Sequence, residues 1–262
     1  MTDNILNWEQ IDDSSFSTSN IYTIATDGIT WVATSTDKKL ATSINGISWT
    51  QRTSSLDFII RNMVNNGTIW VGVGDGGKIA TATDPTGTWT LVADSSFDTT
   101  SIKSIATDGT TWVAVGESGK LATATDPTGT WTQRTTVDFQ GDFSGIATDG
   151  TIWVIVGNSG KTATATDPTG TWTLLANSGL DSLNCVVATK RNWVGVGWTG
   201  KLFTSIDPTS IWTQRTSSFG TTNIWSIATN GITWVAVGES GKMAINTGDI
   251  KESFPMFLPN LK

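Results

Sequence analysis

Twelve of the fourteen tryptophans in this 262-residue chain stand on two interleaved ladders with a step near 41 residues, and this spacing constrains the fold more than any other feature. The first ladder is Trp31, Trp70, Trp112, Trp153, Trp193 and Trp234, in steps of 39, 42, 41, 40 and 41, each rung followed by Val. The second is Trp8, Trp49, Trp89, Trp131, Trp172 and Trp212, in steps of 41, 40, 42, 41 and 40. Trp198 and Trp225 belong to neither. Six periods of about 41 residues account for nearly the whole chain, and a fixed period of that size indicates a repeat architecture.

One period, Ser104 to Thr135, reads SIATDG, TTWVAVGESG, KLATATDPTG, TWTQRT. These are four short runs of β-branched and aromatic residues, each closed by turn residues, and they predict four strands. The first turn is Asp-Gly or Asn-Gly in five copies (Asp27-Gly28, Asn66-Gly67, Asp108-Gly109, Asp149-Gly150, Asn230-Gly231), the strongest short-range hairpin signal. Four-stranded units of this length predict an all-β, six-bladed β-propeller, which closes on itself and so removes most sheet edges. The last copy supplies three strands and lacks its outer tryptophan, while Trp8 sits 41 residues before Trp49 with no inner strands ahead of it. The N-terminal strand around Trp8 is therefore expected to complete blade 6, giving a propeller over residues 1–252 and a separate apolar segment over 253–262.

Composition narrows the chemistry. There is no His and a single Cys, Cys185, which excludes His-based triads, His zinc sites, Cys clusters and disulfides within the chain; no metal or cofactor is expected. Charged residues make up 15%, against about 25% in an average domain, and 16 basic against 23 acidic side chains give a net charge of −7. Nucleic-acid binding needs clustered Lys and Arg, and no such run occurs. No stretch approaches the roughly 20 apolar residues of a membrane span, and Met1 to Gln10 shows no signal-peptide pattern.

The turn between third and fourth strands, SIDPTSIW at Ser205–Trp212, SINGISW at Ser43–Trp49 and TATDPTGTW at Thr81, Thr123 and Thr164, resembles the Asp-box (BNR) repeat of sialidase-like propellers. The stretch VAVGESGKLATATD resembles the photosystem II assembly-factor type of propeller. Three copies depart from the box, with Ala82, Ala124 and Ala165 at its Ser position and Gly one place late. The box Asp is expected to cap its turn and the Trp to pack between blades. A sialidase resemblance would imply three Arg, an acidic residue and a Tyr/Glu pair at the channel mouth. Of five Arg, Arg52, Arg134 and Arg215 fall on outer strands, and Tyr22 is the only Tyr, so catalysis is not expected. Resemblance to the assembly-factor type implies contacts with other proteins.

Among the positions at which the copies differ, two stand out. Nine residues before each first-ladder Trp stand Tyr22, Arg61, Lys103, Ser144, Asn184 and Trp225. In the turn between second and third strands stand Thr36, Asp75, Glu117, Asn158, Trp198 and Glu239. Both sets are expected on one face around the channel mouth. An aromatic beside Asn, Arg and carboxylates suits a sugar, whose C–H face stacks while its hydroxyls hydrogen-bond; the structural alternative is solvated loop variation. The ligand-binding candidates are Tyr22, Arg61, Lys103, Asn184, Trp198, Trp225, Asp75, Glu117 and Glu239.

The Lys after the second turn recurs in every copy (Lys39, Lys78, Lys120, Lys161, Lys201, Lys242) and is expected to pair locally, and Cys185 to be a small buried residue. Residues 253–262 (SFPMFLPNLK) concentrate Phe254, Met256, Phe257, Leu258 and Leu261, which are candidates for docking a partner or for packing on the chain's own propeller. Together these features lead to the expectation of a non-enzymatic binding or adhesion propeller for a glycan or surface protein, displayed on an extracellular or virion surface. A structural or assembly propeller is the alternative. A carboxylate glycosidase, with Glu117 and Glu239 as its first candidates, is the third.

Overall fold

A computed structural model describes residues 8–135, 141–175, 180–190 and 192–247. They form six four-stranded antiparallel sheets, each connected in simple sequence order except the last. Blade 1 comprises Ile21–Thr26, Trp31–Ser35, Leu40–Ser43 and Thr50–Arg52; blade 2, Ile60–Asn65, Trp70–Gly74, Ile79–Ala82 and Thr90–Leu91; blade 3, Ile102–Thr107, Trp112–Gly116, Leu121–Ala124 and Thr132–Arg134. Blade 4 comprises Phe143–Thr148, Trp153–Gly157, Thr162–Ala165 and Thr173–Leu174; blade 5, Leu183–Ala188, Trp193–Gly197, Leu202–Ser205 and Thr213–Arg215. Blade 6 takes Ile224–Thr229, Trp234–Gly238 and Met243–Asn246 from one end of the chain and Glu9–Gln10 from the other, with Glu9 opposite Ile245 and Gln10 opposite Ala244. The first strands contact one another right round the ring, so they line the central channel.

The core lies between blades. Each of six apolar clusters draws on two neighbours: Ala25, Val32 and Leu40 of blade 1 pack on Ile60, Met63, Trp70 and Trp89 of blade 2. Val235, Val237, Met243 and Ile245 of blade 6 pack in the same way on Ile21, Ile24, Trp31 and Trp49 of blade 1. Closing the ring therefore repeats the contact made at the other interfaces. The first-ladder tryptophans are all buried. The outer ones are buried too, and Trp89, Trp131, Trp172 and Trp212 donate Nε1–H to the carbonyls of Pro85, Pro127, Pro168 and Pro208 in their own turns.

In those turns the carboxylate does what the sequence leads one to expect. Asp84 Oδ1 accepts the N–H and hydroxyl of Thr86, and Asp126, Asp167 and Asp207 repeat the arrangement with Thr128, Thr169 and Thr209. The Asp-Gly turns use the same device, Asp108 Oδ1 accepting from the backbone of Thr110 and Thr111 and from the Thr110 hydroxyl. Gly28, Gly67, Gly109, Gly150 and Gly231, all with φ between 90 and 96°, supply the left-handed residue each hairpin requires.

Each inner strand carries one irregularity. Its register against the second strand slips once, between Ile21 and Thr23, Ile60 and Asn62, Ile102 and Ser104, Phe143 and Gly145, Leu183 and Cys185, and Ile224 and Ser226. The extra residue of each bulge is Tyr22, Arg61, Lys103, Ser144, Asn184 or Trp225. A bulge re-aims the side chain it carries, and here six bulges stand at the same height around one channel.

Candidate functional site

The bulge residues converge. Tyr22, Arg61, Lys103, Ser144, Asn184 and Trp225 line one cup of about 180 Å³ at the channel mouth, together with Asp142, Phe143, Asn158 and Trp198. Asn158 and Trp198 open the 3₁₀ turns Asn158–Gly160 and Trp198–Gly200, which join second to third strands on that face. Asp142 and Phe143 are lining residues that sequence variation alone does not single out; they precede the bulge residue Ser144 directly, which is the signal that points to them.

One wall is aromatic. Trp225 meets Trp198 edge to face at 5.9 Å between centroids and Tyr22 at 5.7 Å. The Arg61 guanidinium lies 4.5 Å over the Tyr22 ring, a cation–π geometry. Trp198 is 49% exposed. The Trp225 Nε1–H is buried and has no partner among the described residues. A buried donor without an acceptor is costly.

The cations of the cup are already neutralised. Arg61 donates through Nε to Asp75 Oδ1 at 2.6 Å and through a second nitrogen to Oδ2 at 3.2 Å. Burial works against the Arg61 charge, but the Asp75 carboxylate and Tyr22 outweigh it and hold the guanidinium firmly protonated. Lys103 Nζ lies 2.6 Å from Glu117 Oε1. Asp75, Glu117 and Glu239 thus sit on the expected face but outside the cup lining, each engaged by a neighbour: Glu239 accepts from Asn223 Nδ2 at 2.6 Å. Glu117 and Glu239 belong to blades 3 and 6, which are opposite one another in the ring. Thr36 stays at the rim, bonded through its N–H to the Asn20 carbonyl.

The rim is latched from blade to blade. The backbone N–H groups of Ser118, Thr199 and Ser240, all with positive φ, are accepted by Asp142, Asn223 and Asn20 of the next blade at 2.8 to 3.0 Å. Asn184 Nδ2 donates to the Ile224 carbonyl at 2.9 Å, tying the cup wall of blade 5 to blade 6. The recurrent lysines pair locally: Lys39 with Asp37, Lys78 with Asp57, Lys120 with Asp98 and Lys201 with Asp181.

One layer deeper, the bulge residue of five blades is followed by Thr23, Asn62, Ser104, Cys185 or Ser226, and three of these side chains reach the inner strand of the next blade. Asn62 Oδ1 accepts the N–H of Ile105, Ser104 Oγ that of Ile146, and Ser226 Oγ lies at a long 3.4 Å from that of Ile24. Cys185 is buried, which pushes its thiol pKa up. Beyond this layer a second cavity of about 180 Å³ opens toward the opposite face, walled by alanines, valines and the strand-end threonines Thr26, Thr107, Thr148 and Thr229. Among the described residues no group of three or more His, Cys, Asp or Glu side chains is placed to hold a metal ion, and no helix is long and apolar enough to cross a membrane. Phe254, Met256, Phe257, Leu258 and Leu261 lie outside the described residues.

No protein-family model matches the sequence, and no curated protein matches it either. Solved structures do. YCF48 from Cyanidioschyzon merolae is similar at 13% identity and a TM-score of 0.65, over 91% of this chain and 98% of that one. YCF48 bound to D1 peptide is similar at 14% and 0.67, over 95% and 99%. A chain of the nidogen/laminin complex is similar at 14% and 0.67, over 80% and 85%. At these identities the likeness is one of fold alone: the chain is a closed six-bladed propeller, and its fold is similar to those of YCF48 and of the nidogen/laminin chain.

Proposed function

We propose that this chain is a binding propeller, without chemical turnover, whose cup takes an uncharged segment of a polypeptide. The observation that carries the reading is the delivery of all six bulge residues, which differ from copy to copy, into one cup beside a half-exposed indole. An apolar side chain suits the half-exposed Trp198 face, and the Asn158 and Asn184 amides beside it suit a polypeptide's backbone. Arg61 and Lys103 already have carboxylate partners, so a charged ligand would have to displace one of them. Two of the similar structures are complexes, one with the D1 peptide and one between nidogen and laminin, which makes a polypeptide the first ligand to test.

A glycan is the second reading, supported by the exposed face of Trp198 beside Asn158 and Asn184, an arrangement on which a sugar ring can stack and hydrogen-bond. In that reading the propeller is displayed on an extracellular or virion surface. Parallel peptide and glycan arrays, probed with the wild-type chain and a Trp198→Ala/Trp225→Ala variant of unchanged circular dichroism, separate the two. Peptide binding that is lost in the variant and insensitive to salt supports the first reading; glycan binding lost in the variant transfers the cup to the second. Binding that survives in the variant removes the cup from either.

A further inference from the structure

The face opposite the cup is divided. The turns joining first to second strands in each blade, and third to fourth strands in blades 1 to 5, lie on this face. In blades 2, 3 and 4 the first of these turns carries Thr68, Thr110 and Thr151, and their hydroxyls bond to Asn66, Asp108 and Asp149. Blades 1 and 6 carry Ile29 and Ile232 at the same place and forgo that bond. In the other turn Thr83, Thr125 and Thr166 of blades 2 to 4 correspond to Ile206 of blade 5 and Ile44 of blade 1, and Thr88, Thr130 and Thr171 correspond to Ile211.

The six isoleucines of this face, Ile29, Ile44, Ile47, Ile206, Ile211 and Ile232, are 49 to 83% exposed. The other large exposed apolar side chains among the described residues are Trp198 in the cup and Leu91 and Leu174 on outer strands. Blades 5, 6 and 1 are consecutive in the ring. The isoleucines therefore fall on one arc, beside the turn carboxylates Asp27 and Asp207, while the turns of blades 2 to 4 carry Asp84, Asp108, Asp126, Asp149 and Asp167 and none of the six isoleucines. The turn of blade 1 that carries Ile44 and Ile47 packs directly on blade 6: a Cβ placed on its Gly46 would stand 3.1 Å from Val235 and 3.7 Å from Ile245. Solvated turns of an otherwise threonine-rich repeat have no use for bare isoleucine, and an apolar patch of this kind marks a surface that is covered.

The last described strand, Met243–Asn246, ends on this face in blade 6, the middle blade of the arc. Beyond it the sequence holds Phe254, Met256, Phe257, Leu258 and Leu261. The six residues between Thr247 and Phe254 can span about 20 Å when extended, enough to bring the first of these side chains over either neighbouring blade. We propose that residues 253–262 are the occupant of the arc, seated on Ile29, Ile206, Ile211 and Ile232 of their own propeller. The proposal concerns the face away from the cup and stands whatever ligand the cup takes.

The test places a photoreactive benzoylphenylalanine at position 257 of the full chain. The expected result is cross-linked product at monomer mass, with the cross-links mapping to the turns that hold Ile29, Ile44, Ile206, Ile211 and Ile232. In an Ile29→Thr/Ile206→Thr/Ile211→Thr/Ile232→Thr variant, which adopts the threonines that blades 2 to 4 carry, the yield should fall at least fivefold while circular dichroism is unchanged. Cross-links to another part of the propeller, mainly to a second copy, or to nothing within the chain overturn the proposal, as does a yield that the four threonines leave unchanged.

Discussion

Trp198 and Trp225 stand edge to face, 5.9 Å between centroids and 71° between planes, although one hangs from a turn of blade 5 and the other from the bulge of blade 6. Because Trp198 is half exposed, little of the fold rests on it. Trp198→Ala is expected to change unfolding free energy by no more than about 1.5 kcal/mol while weakening any cup ligand at least tenfold. Trp225→Phe keeps an aromatic ring but removes an N–H that has no partner, so stability should hold or rise slightly. Calorimetric titration beside a denaturant melt separates the two effects.

Thr23 Oγ1 is buried without a partner, whereas Ser104 Oγ, at the corresponding place two blades on, accepts the N–H of Ile146. Thr23→Val should therefore be neutral or stabilising by up to about 1 kcal/mol, and Ser104→Ala should cost about 1 to 3 kcal/mol because it strands a buried N–H. Urea unfolding of the two variants gives opposite signs if this account holds.

Gly241 has φ +68°, and a Cβ there would fall on the Ser17 carbonyl oxygen; Gly28 has φ +96° and open space around it. Both alanine variants strain the backbone, at about 1 to 2 kcal/mol, but only Gly241→Ala also drives blade 6 into the loop entering blade 1. Its melting temperature should drop several degrees further than that of Gly28→Ala. Equal drops would show that the loop yields freely.

Acid should unfold the protein through its turns. Asp84 is held below the usual carboxylate value of 3.8 by the N–H and then the hydroxyl of Thr86, and Asp126 and Asp167 by the hydroxyl and then the N–H of Thr128 and Thr169. At Asp37 burial pushes the pKa up, but Lys39, Ser35 and Ser19 outweigh it and bring it to about 2. Folded values below unfolded ones mean stability that is present above the unfolded pKa and lost as pH falls through the folded one. The melting temperature should be level above about pH 5 and fall from pH 3.8 toward about 2. Asp→Asn at positions 84, 126 and 167 should flatten that limb, since Asn45 already serves in the equivalent turn of blade 1.

The period, the hairpins and the completion of blade 6 by the strand after Trp8 are legible in the sequence because six copies repeat each signal. The bulge is not. One extra residue disturbs neither the tryptophan step nor the apolar pattern around it, so Tyr22, Arg61 and Trp225 read as variable residues of the channel-mouth face without showing the bulge that carries them. Which turn residues join them is also hidden: Asn158 and Trp198 lean inward, while Asp75, Glu117 and Glu239 are drawn off by Arg61, Lys103 and Asn223. That choice depends on pairings across 14 to 16 residues or a blade boundary, which composition cannot order. The isoleucine arc escapes notice for another reason. Ile29 and Ile232 look like ordinary β-branched neighbours of a strand until their exposure is known.

The pairing of Glu9 and Gln10 with Ile245 and Ala244 sets an order of events for a chain emerging from a ribosome. Blades 1 to 5 can assemble one after another as their own residues appear. Blade 6 needs the Trp8 segment together with the strands Ile224–Thr229, Trp234–Gly238 and Met243–Asn246, so that segment, made before blade 1, stays unpaired until those strands arrive. Until then the flank of blade 1 that Val235 and Ile245 will cover lies open to solvent, and any chaperone or mispairing neighbour has its opportunity there. The pairing of Glu9–Gln10 with Met243–Asn246 thus converts a row of five sheets with two raw edges into a ring that has none.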